Sequence, residues 1–188
     1  MHRTIYVDPP WPEYGGGKIK RVADRHYSLM SLKEIIALPI QKLVHPEGGH
    51  LWLWTTNNQL KNALEVIDAW GFEYKSTVTW FKPGRIGLGQ WLRGCTEHCF
   101  FATTKKSLPY KIVDGKRQQG VTGFTAERRE HSVKPEEMRT MIERVSYPPF
   151  IELFARREYD HWTCVGNEVK KSLEDILKET ENGTIRAA

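Results

Sequence analysis

Three observations predict an α/β domain for this chain. Short apolar runs alternate with helix-like stretches from one end to the other. The 188 residues fall within the size of one domain and suffice to bury a full core. No internal repeat and no linker-like stretch divides them.

The elements read in order. Thr4–Val7 is a first strand, apolar and β-branched. Ser31 followed by Glu34 forms a capping-box pattern, and Leu32, Ile35, Ile36 and Leu43 give the helix behind it an apolar face. Pro39 shortens or kinks that helix. His50 to Trp54 is a second strand. A helix follows from Asn57 to Trp70, with Leu60, Leu64, Ile67 and Trp70 at helical spacing and Gly71 where a C-terminal cap belongs. Tyr74 to Phe81 and His98 to Thr103 read as strands, and residues 105 to 130 as a long mobile loop. Pro135 opens a helix that runs to Arg144. Phe150 to Phe154 and Trp162 to Val165 are the last strands. A helix from Glu168 to Lys178 then leads into a polar tail that frays. The domain is accordingly placed at residues 1–180 and the tail at 181–188.

Composition narrows the function classes. Hydrophobic content of 39% and charged content of 27% are those of a soluble globular chain. No apolar run could cross a bilayer, so no membrane partner is expected. The N-terminus opens on a strand-like segment instead of a signal peptide, which makes the cytoplasm the default location. Three cysteines, Cys95, Cys99 and Cys164, are too few for a disulfide scaffold and read as reduced thiols. His98 beside Cys95 and Cys99 makes a weak zinc pattern with no second ligand pair, and no metal is expected.

The formal charge of +5 points to an anionic partner. Lys18, Lys20, Arg21 and Arg25 crowd one loop, and a second basic group lies between Lys105 and Arg129. With seven tryptophans in the chain, such loops suit phosphates and unstacked bases. The 105–130 stretch is the candidate for target recognition, although its acids (Asp114, Glu127 and Glu130) also suit an ordinary solvated loop.

Asp8-Pro9-Pro10-Trp11 is the most informative motif. It stands at the end of the first strand, where two prolines with fixed φ and no N–H cannot extend pairing. The reading is a rigid, solvent-facing corner. Its carboxylate and carbonyls are acceptors at defined angles, and Trp11 supplies a flat surface. Two acceptors and a stacking surface are what gripping an exocyclic amine on a planar ring requires. The same four residues could equally be a strand end and a Pro-rich turn. Ligands in such sheets bind at the carboxyl ends of strands, which brings Asp8, the Glu97 neighbourhood and Arg156 into consideration together.

Taken in order, the motifs resemble the adenine N6-methyltransferase family that includes the catalytic subunit of the eukaryotic messenger-RNA methyltransferase and many bacterial and phage DNA methylases. The resemblance covers roughly residues 4 to 170. It is carried by Asp8 to Trp11, Tyr27-Ser28-Leu29-Met30, Leu51-Trp52-Leu53-Trp54, Trp70-Gly71-Phe72 and Glu97-His98-Cys99. His131 to Glu136, Ile151 to Arg156, and Trp162 through Gly166-Asn167-Glu168 complete it.

The resemblance implies a Rossmann-like fold dependent on S-adenosylmethionine, with a permuted order: catalytic motif first, cofactor motifs last. It implies that Asp8 and the Pro9 carbonyl accept the two amine hydrogens, that Pro10 stiffens the corner, and that Trp11 stacks on the target adenine. Lys134 matches the lysine that binds the methionine carboxylate, and Asp8 also faces the cofactor. Arg156, Asn167 and Glu168 match residues that hold the ribose and nearby polar edges. Glu168 stands where a compared member has an amide, and a carboxylate accepts two ribose hydroxyls at least as well. Larger members contact the cofactor adenine through an upstream segment, so another loop is expected to do so here. Tyr27, Trp91 and Glu97 are candidates for the acceptor pocket, with Lys18, Lys20 and Arg21 on the nucleic acid. The expected activity is methylation of adenine N6 in DNA. The alternatives are the same reaction on RNA, or a non-catalytic nucleic-acid-binding partner. A homodimer, or a heterodimer with a related subunit, is compatible with the family.

Overall fold

The computed structural model describes residues 1–12, 29–84, 86–87, 91–106, 108–128 and 133–186. It contains nine strands: β1 (Thr4–Val7), β2 (His50–Thr55), β3 (Phe72–Phe81), β4 (Thr96–Thr104), β5 (Ile112–Val113), β6 (Lys116–Arg117), β7 (Gly123–Thr125), β8 (Phe150–Leu153) and β9 (Trp162–Val165). Four helices accompany them: α1 (Leu32–Ile36), α2 (Leu60–Ala69), α3 (Glu136–Val145) and α4 (Leu173–Arg186).

Seven strands form one sheet in the order β7-β3-β4-β2-β1-β8-β9. β2, β1, β8 and β9 run parallel, while β4 runs antiparallel to β2 and β3. The parallel strands are buried along their length, as strands covered on both faces must be. Alternation sorts their side chains. Ile5, Val7, Leu51 and Leu53 face a core shared with Ile35, Val66, Ile67, Trp70 and Ile176. Tyr6, Trp52 and Trp54 face a second core with Met138, Met141 and Ile142 of α3. Helices on both faces of a mainly parallel sheet are the Rossmann-like arrangement. The Asp8–Trp11 motif follows the first strand, and Arg156, Asn167 and Glu168 follow the last two.

Function depends on where the sheet changes direction. From β1 the chain moves to β2 on one side, whereas β8 and β9 lie on the other. The β1/β8 boundary is therefore a topological switch point, and the crevice beyond its carboxyl edge is the natural ligand site of such a sheet. Asp8 leaves β1 there, and Phe154 to Arg156 leave β8 beside it.

Several elements depart from the sequence reading. Ser31 and Glu34 do form the capping box, but α1 ends at Ile36 and Leu43 caps a separate 3₁₀ turn behind Pro39. A 3₁₀ turn over Asn57–Gln59 precedes α2, and Gly71 takes φ +73° at its end as a left-handed cap does. The described part of the 105–130 stretch contains three short strands where a loop is expected. Asp114 and Gly115 both have positive φ (50° and 72°), closing a two-residue hairpin between β5 and β6. Its β7 adds to the sheet edge through pairing with β3, a contact no local pattern announces. The last helix starts at Leu173, later than expected, and continues through Arg186 into the stretch read as a tail.

Two buried histidines make the fold acid-sensitive. Burial lowers the pKa of His2 and of His50 to about 4. His50 Nδ1 lies 2.9 Å from Ser146 Oγ, which also accepts from Trp52 Nε1 at 2.9 Å. With Trp52 donating to it, the hydroxyl keeps its own proton to offer a neutral imidazole, and burial disfavours the imidazolium. A base whose folded pKa is depressed binds fewer protons folded than unfolded between its two pKa values, so stability falls as pH drops from about 6.5 toward 4. The cost reaches up to about 3 kcal/mol per histidine. The thermal midpoint should decline across this range, and His50→Gln should flatten the decline. A curve of unchanged steepness in the variant would remove His50 as its source.

Candidate active site

At the switch point the chain turns sharply. The Trp11 N–H donates to the Pro9 carbonyl at 2.8 Å, and the Met30 N–H donates to the Pro10 carbonyl at 3.0 Å. A carbonyl has two lone pairs, so the bond from Trp11 occupies one of those on Pro9. The expectation of a solvent-facing corner is corrected at Trp11. Its side chain is folded inward and 8% exposed, and its indole N–H donates to the Trp54 carbonyl at 2.8 Å. Because a buried indole needs a partner for its N–H, the ring is drawn under the corner, where it braces the turn.

Asp8 keeps 28% of its side chain exposed. The Lys134 ammonium, which enters just ahead of α3, donates to its Oδ2 at 2.6 Å. The same ammonium lies 3.5 Å from Glu97 Oε2, at the start of β4. Lys82, just past β3, pairs with the other oxygen of Glu97. Four charges of alternating sign, Asp8–Lys134–Glu97–Lys82, thus run along the carboxyl edge, with Lys134 near the Trp54 ring and Lys82 over Trp80.

Burial raises the Asp8 pKa, and Lys134 partly offsets it. Glu97 is also pushed up by burial, but Lys134 and Lys82 outweigh that and hold it below the ordinary range. Burial disfavours the charge on Lys134, yet Asp8 and Glu97 more than restore it. The lysine is therefore a fixed cation between two carboxylates.

Beside Asp8 opens a cleft of about 240 Å³, whose wall includes Lys134, Glu136, Arg139, Glu152, Arg156, Arg157 and Glu168. Acids and bases alternate around it. A second cavity of about 140 Å³ adjoins it, lined by Leu38, Leu153, Phe154, Val165, Gly166, Asn167 and Leu173. Phe154 borders both and has φ +63°, a conformation unfavourable for a bulky residue and concentrated at functional sites.

The structure therefore gathers Asp8, Lys134, Glu97, Arg156 and Glu168 at one edge and puts Asn167 in the adjoining cavity. Trp91 is 93% exposed and lines neither of the two cavities. Tyr27, Lys18, Lys20 and Arg21 lie outside the described residues. Sequence reasoning missed Lys82, Arg139, Glu152, Phe154 and Tyr159. Of these only Glu152, a lone acid inside an apolar strand, carried a local signal.

The fold and this edge define a Rossmann-like enzyme domain whose acceptor corner adjoins a cleft lined by both acids and bases. Comparison with known proteins makes the assignment specific. The family model MT-A70 matches residues 2–168, and the chain belongs to that family. It is 30% identical to type II methyltransferase M.MunI of Mycoplasma sp, an alignment covering 96% of this chain and 83% of that protein. It is 28% identical to the probable N(6)-adenosine-methyltransferase MT-A70-like of Oryza sativa subsp. japonica, over 88% of this chain and 23% of the relative. The human N(6)-adenosine-methyltransferase catalytic subunit METTL3 is also 28% identical, over 88% of this chain and 28% of its own. The chain thus spans about a quarter of the length of these adenosine methyltransferases. No helix among the described residues is long and apolar enough to cross a membrane.

Proposed function

We propose that this protein methylates the exocyclic N6 of adenine in DNA, with S-adenosylmethionine as donor. The observation that carries the reading is the Asp8 carboxylate, set at the end of β1 in the wall of the cleft and paired with Lys134. The cleft residues fit the cofactor. An α-ammonium and an α-carboxylate need acids and bases in one cavity, and both line this one. The adjoining cavity, apolar but for Asn167 and Ser172, suits a purine, with Asn167 and Glu168 at hand for hydroxyls.

When bound, the cofactor supplies an electrophilic methyl group on a sulfonium. This chain's residues prepare the nucleophile. Adenine N6 is a poor nucleophile because its lone pair is delocalised into the ring. Asp8 and the Pro9 carbonyl accept its two hydrogens, which draws the nitrogen toward a pyramidal geometry and localises the lone pair. As the N–C bond forms, the methyl group's bond to the sulfonium sulfur breaks with its electron pair left on sulfur. One N6 proton leaves, and Asp8 is a base at the corner that can receive it. Lys134 keeps Asp8 ionised beforehand, and Glu97 with Lys82 keeps Lys134 in place. Preorganised charge and placement account for the acceleration without a strong base. A base in a duplex must first be flipped out, which costs a few kcal/mol.

The 30% identity to a type II methyltransferase, aligned over 83% of that protein, favours DNA as the polymer. A nucleic-acid substrate and three free cysteines agree with a cytoplasmic location. The test is methyl transfer from labelled cofactor to matched DNA and RNA oligonucleotides. Label on DNA adenine is expected. Label confined to RNA would move the substrate to RNA, and no label on either would overturn the assignment.

A further inference from the structure

The β5–β6 hairpin carries a basic surface that lies outside every motif of the family resemblance. Between residues 105 and 118 five cations (Lys105, Lys106, Lys111, Lys116 and Arg117) stand against one acid, Asp114. All five cations except Lys111 are exposed. Lys106, Lys116 and Arg117 form no ion pair among the described residues. Ile112 is paired with Arg117 and Val113 with Lys116, so Arg117 shares a face with Ile112 and, two residues earlier, Tyr110. The Arg117 guanidinium carbon lies 3.3 Å from the Tyr110 ring centroid, and that ring is itself 65% exposed.

The hairpin is fixed to the far half of α3. Lys111 Nζ donates to the Glu143 carbonyl, and the Tyr147 hydroxyl donates to the Pro109 carbonyl at 3.0 Å. Just beyond the hairpin, the Val121 N–H lies 3.4 Å from Met141 Sδ. α3 begins at Glu136 in the cleft wall, and its ten residues span about 15 Å. That is close to half a turn of B-DNA, whose full turn measures about 34–36 Å.

We propose that this hairpin grips the phosphate backbone of duplex DNA flanking the target adenine, through Lys116 and Arg117. This rests on the DNA reading above. Charge selects the occupant: protein interfaces are depleted of lysine, whereas lysine and arginine on DNA displace its condensed counterions. Stacking on Tyr110 holds the Arg117 plane before the DNA arrives, so little freedom is lost on binding. Contacts to phosphate add affinity and register without reading bases.

The test is titration of a labelled DNA duplex of about 30 base pairs, three helical turns, from about 50 to 200 mM salt. Each phosphate contact contributes about 0.9 to the slope of log affinity against log salt. The variant K116Q/R117Q should therefore lower the slope by about 2 and weaken binding about tenfold or more at about 0.1 M salt. Its thermal midpoint, its affinity for S-adenosylmethionine and its kcat at saturating duplex should match the wild-type chain. The charge-keeping variant K116R/R117K should retain the wild-type slope. An unchanged slope in K116Q/R117Q would overturn the inference, as would an equal loss of affinity at every salt concentration. So would a slope lost only on a matched RNA duplex, or a change in oligomeric state with DNA affinity intact, which would make the hairpin a protein contact. If the wild-type chain neither binds nor methylates DNA, the reading beneath the inference fails first.

Discussion

Asp8→Ala should abolish methyl transfer while nucleic-acid binding survives. Among the described residues Asp8 is the one carboxylate of the corner, and in the proposed reading the carbonyl beside it accepts just one of the two amine hydrogens. Loss of a preorganised group facing the reacting atom costs about 10²–10³ in turnover, and loss of a base for the departing proton adds to that. Asp8→Asn should be nearly as inactive, because an amide presents one acceptor and a pair of competing donors. Retained turnover in either variant would remove Asp8 from the acceptor role. The pH profile carries a second signature. Only the ionised carboxylate accepts both a hydrogen bond and a proton, and burial raises its pKa above the ordinary value of 3.8. The acid limb of kcat/KM should therefore lie above that value. Lys134 stabilises the carboxylate, so Lys134→Gln should move the limb to still higher pH. A limb that stays in place would show that the 2.6 Å contact does not set the charge of Asp8.

Gly166→Ala should both destabilise the fold and weaken cofactor binding. Gly166 follows β9, where the chain passes against the residue that follows β8. A methyl group there would meet the Ala155 carbonyl oxygen at 2.3 Å and the Ala155 nitrogen at 2.9 Å. Both are backbone atoms, so no side chain can rotate away. The ends of β8 and β9 must then part, at the expense of the bond from the Ala155 N–H to the Val165 carbonyl at 2.9 Å. Overpacking of this kind costs about 1–3 kcal/mol. Because Phe154, Asn167 and Glu168 sit on the same two strand ends, affinity for S-adenosylmethionine should fall at least about tenfold with it. A denaturant titration and a binding titration read the two effects separately. Wild-type values in both would mean the strand ends tolerate separation.

Much of the fold was legible locally. The bounds of β1 and β9 match their apolar runs, β2 extends its run by one residue, and Ser31 with Glu34 marks a helix start because a capping box satisfies its donors within four residues. The β5–β6 hairpin was not recognised locally, because the stretch from 105 to 130 reads as a loop, although Asp114-Gly115 tolerates the two positive φ values the turn needs. Nor was β7, because three residues form a strand only when β3 offers a free edge.

For the site the division falls in the same place. The sequence by itself determined the chemistry of the corner: an acid and two prolines ending a strand can only present acceptors, and the ordered motifs tied them to an adenine methyltransferase. The tertiary structure decided the rest. It turned Trp11 inward because the indole N–H finds its acceptor on β2, and it joined Asp8 to Lys134, 126 residues away, and through it to Glu97 and Lys82. It also buried one donor of Arg139 without a partner among the described residues. Charge pairing and burial act across space between residues distant in the chain. That is why a local pattern can announce which groups are present but not which of them are already spent on one another.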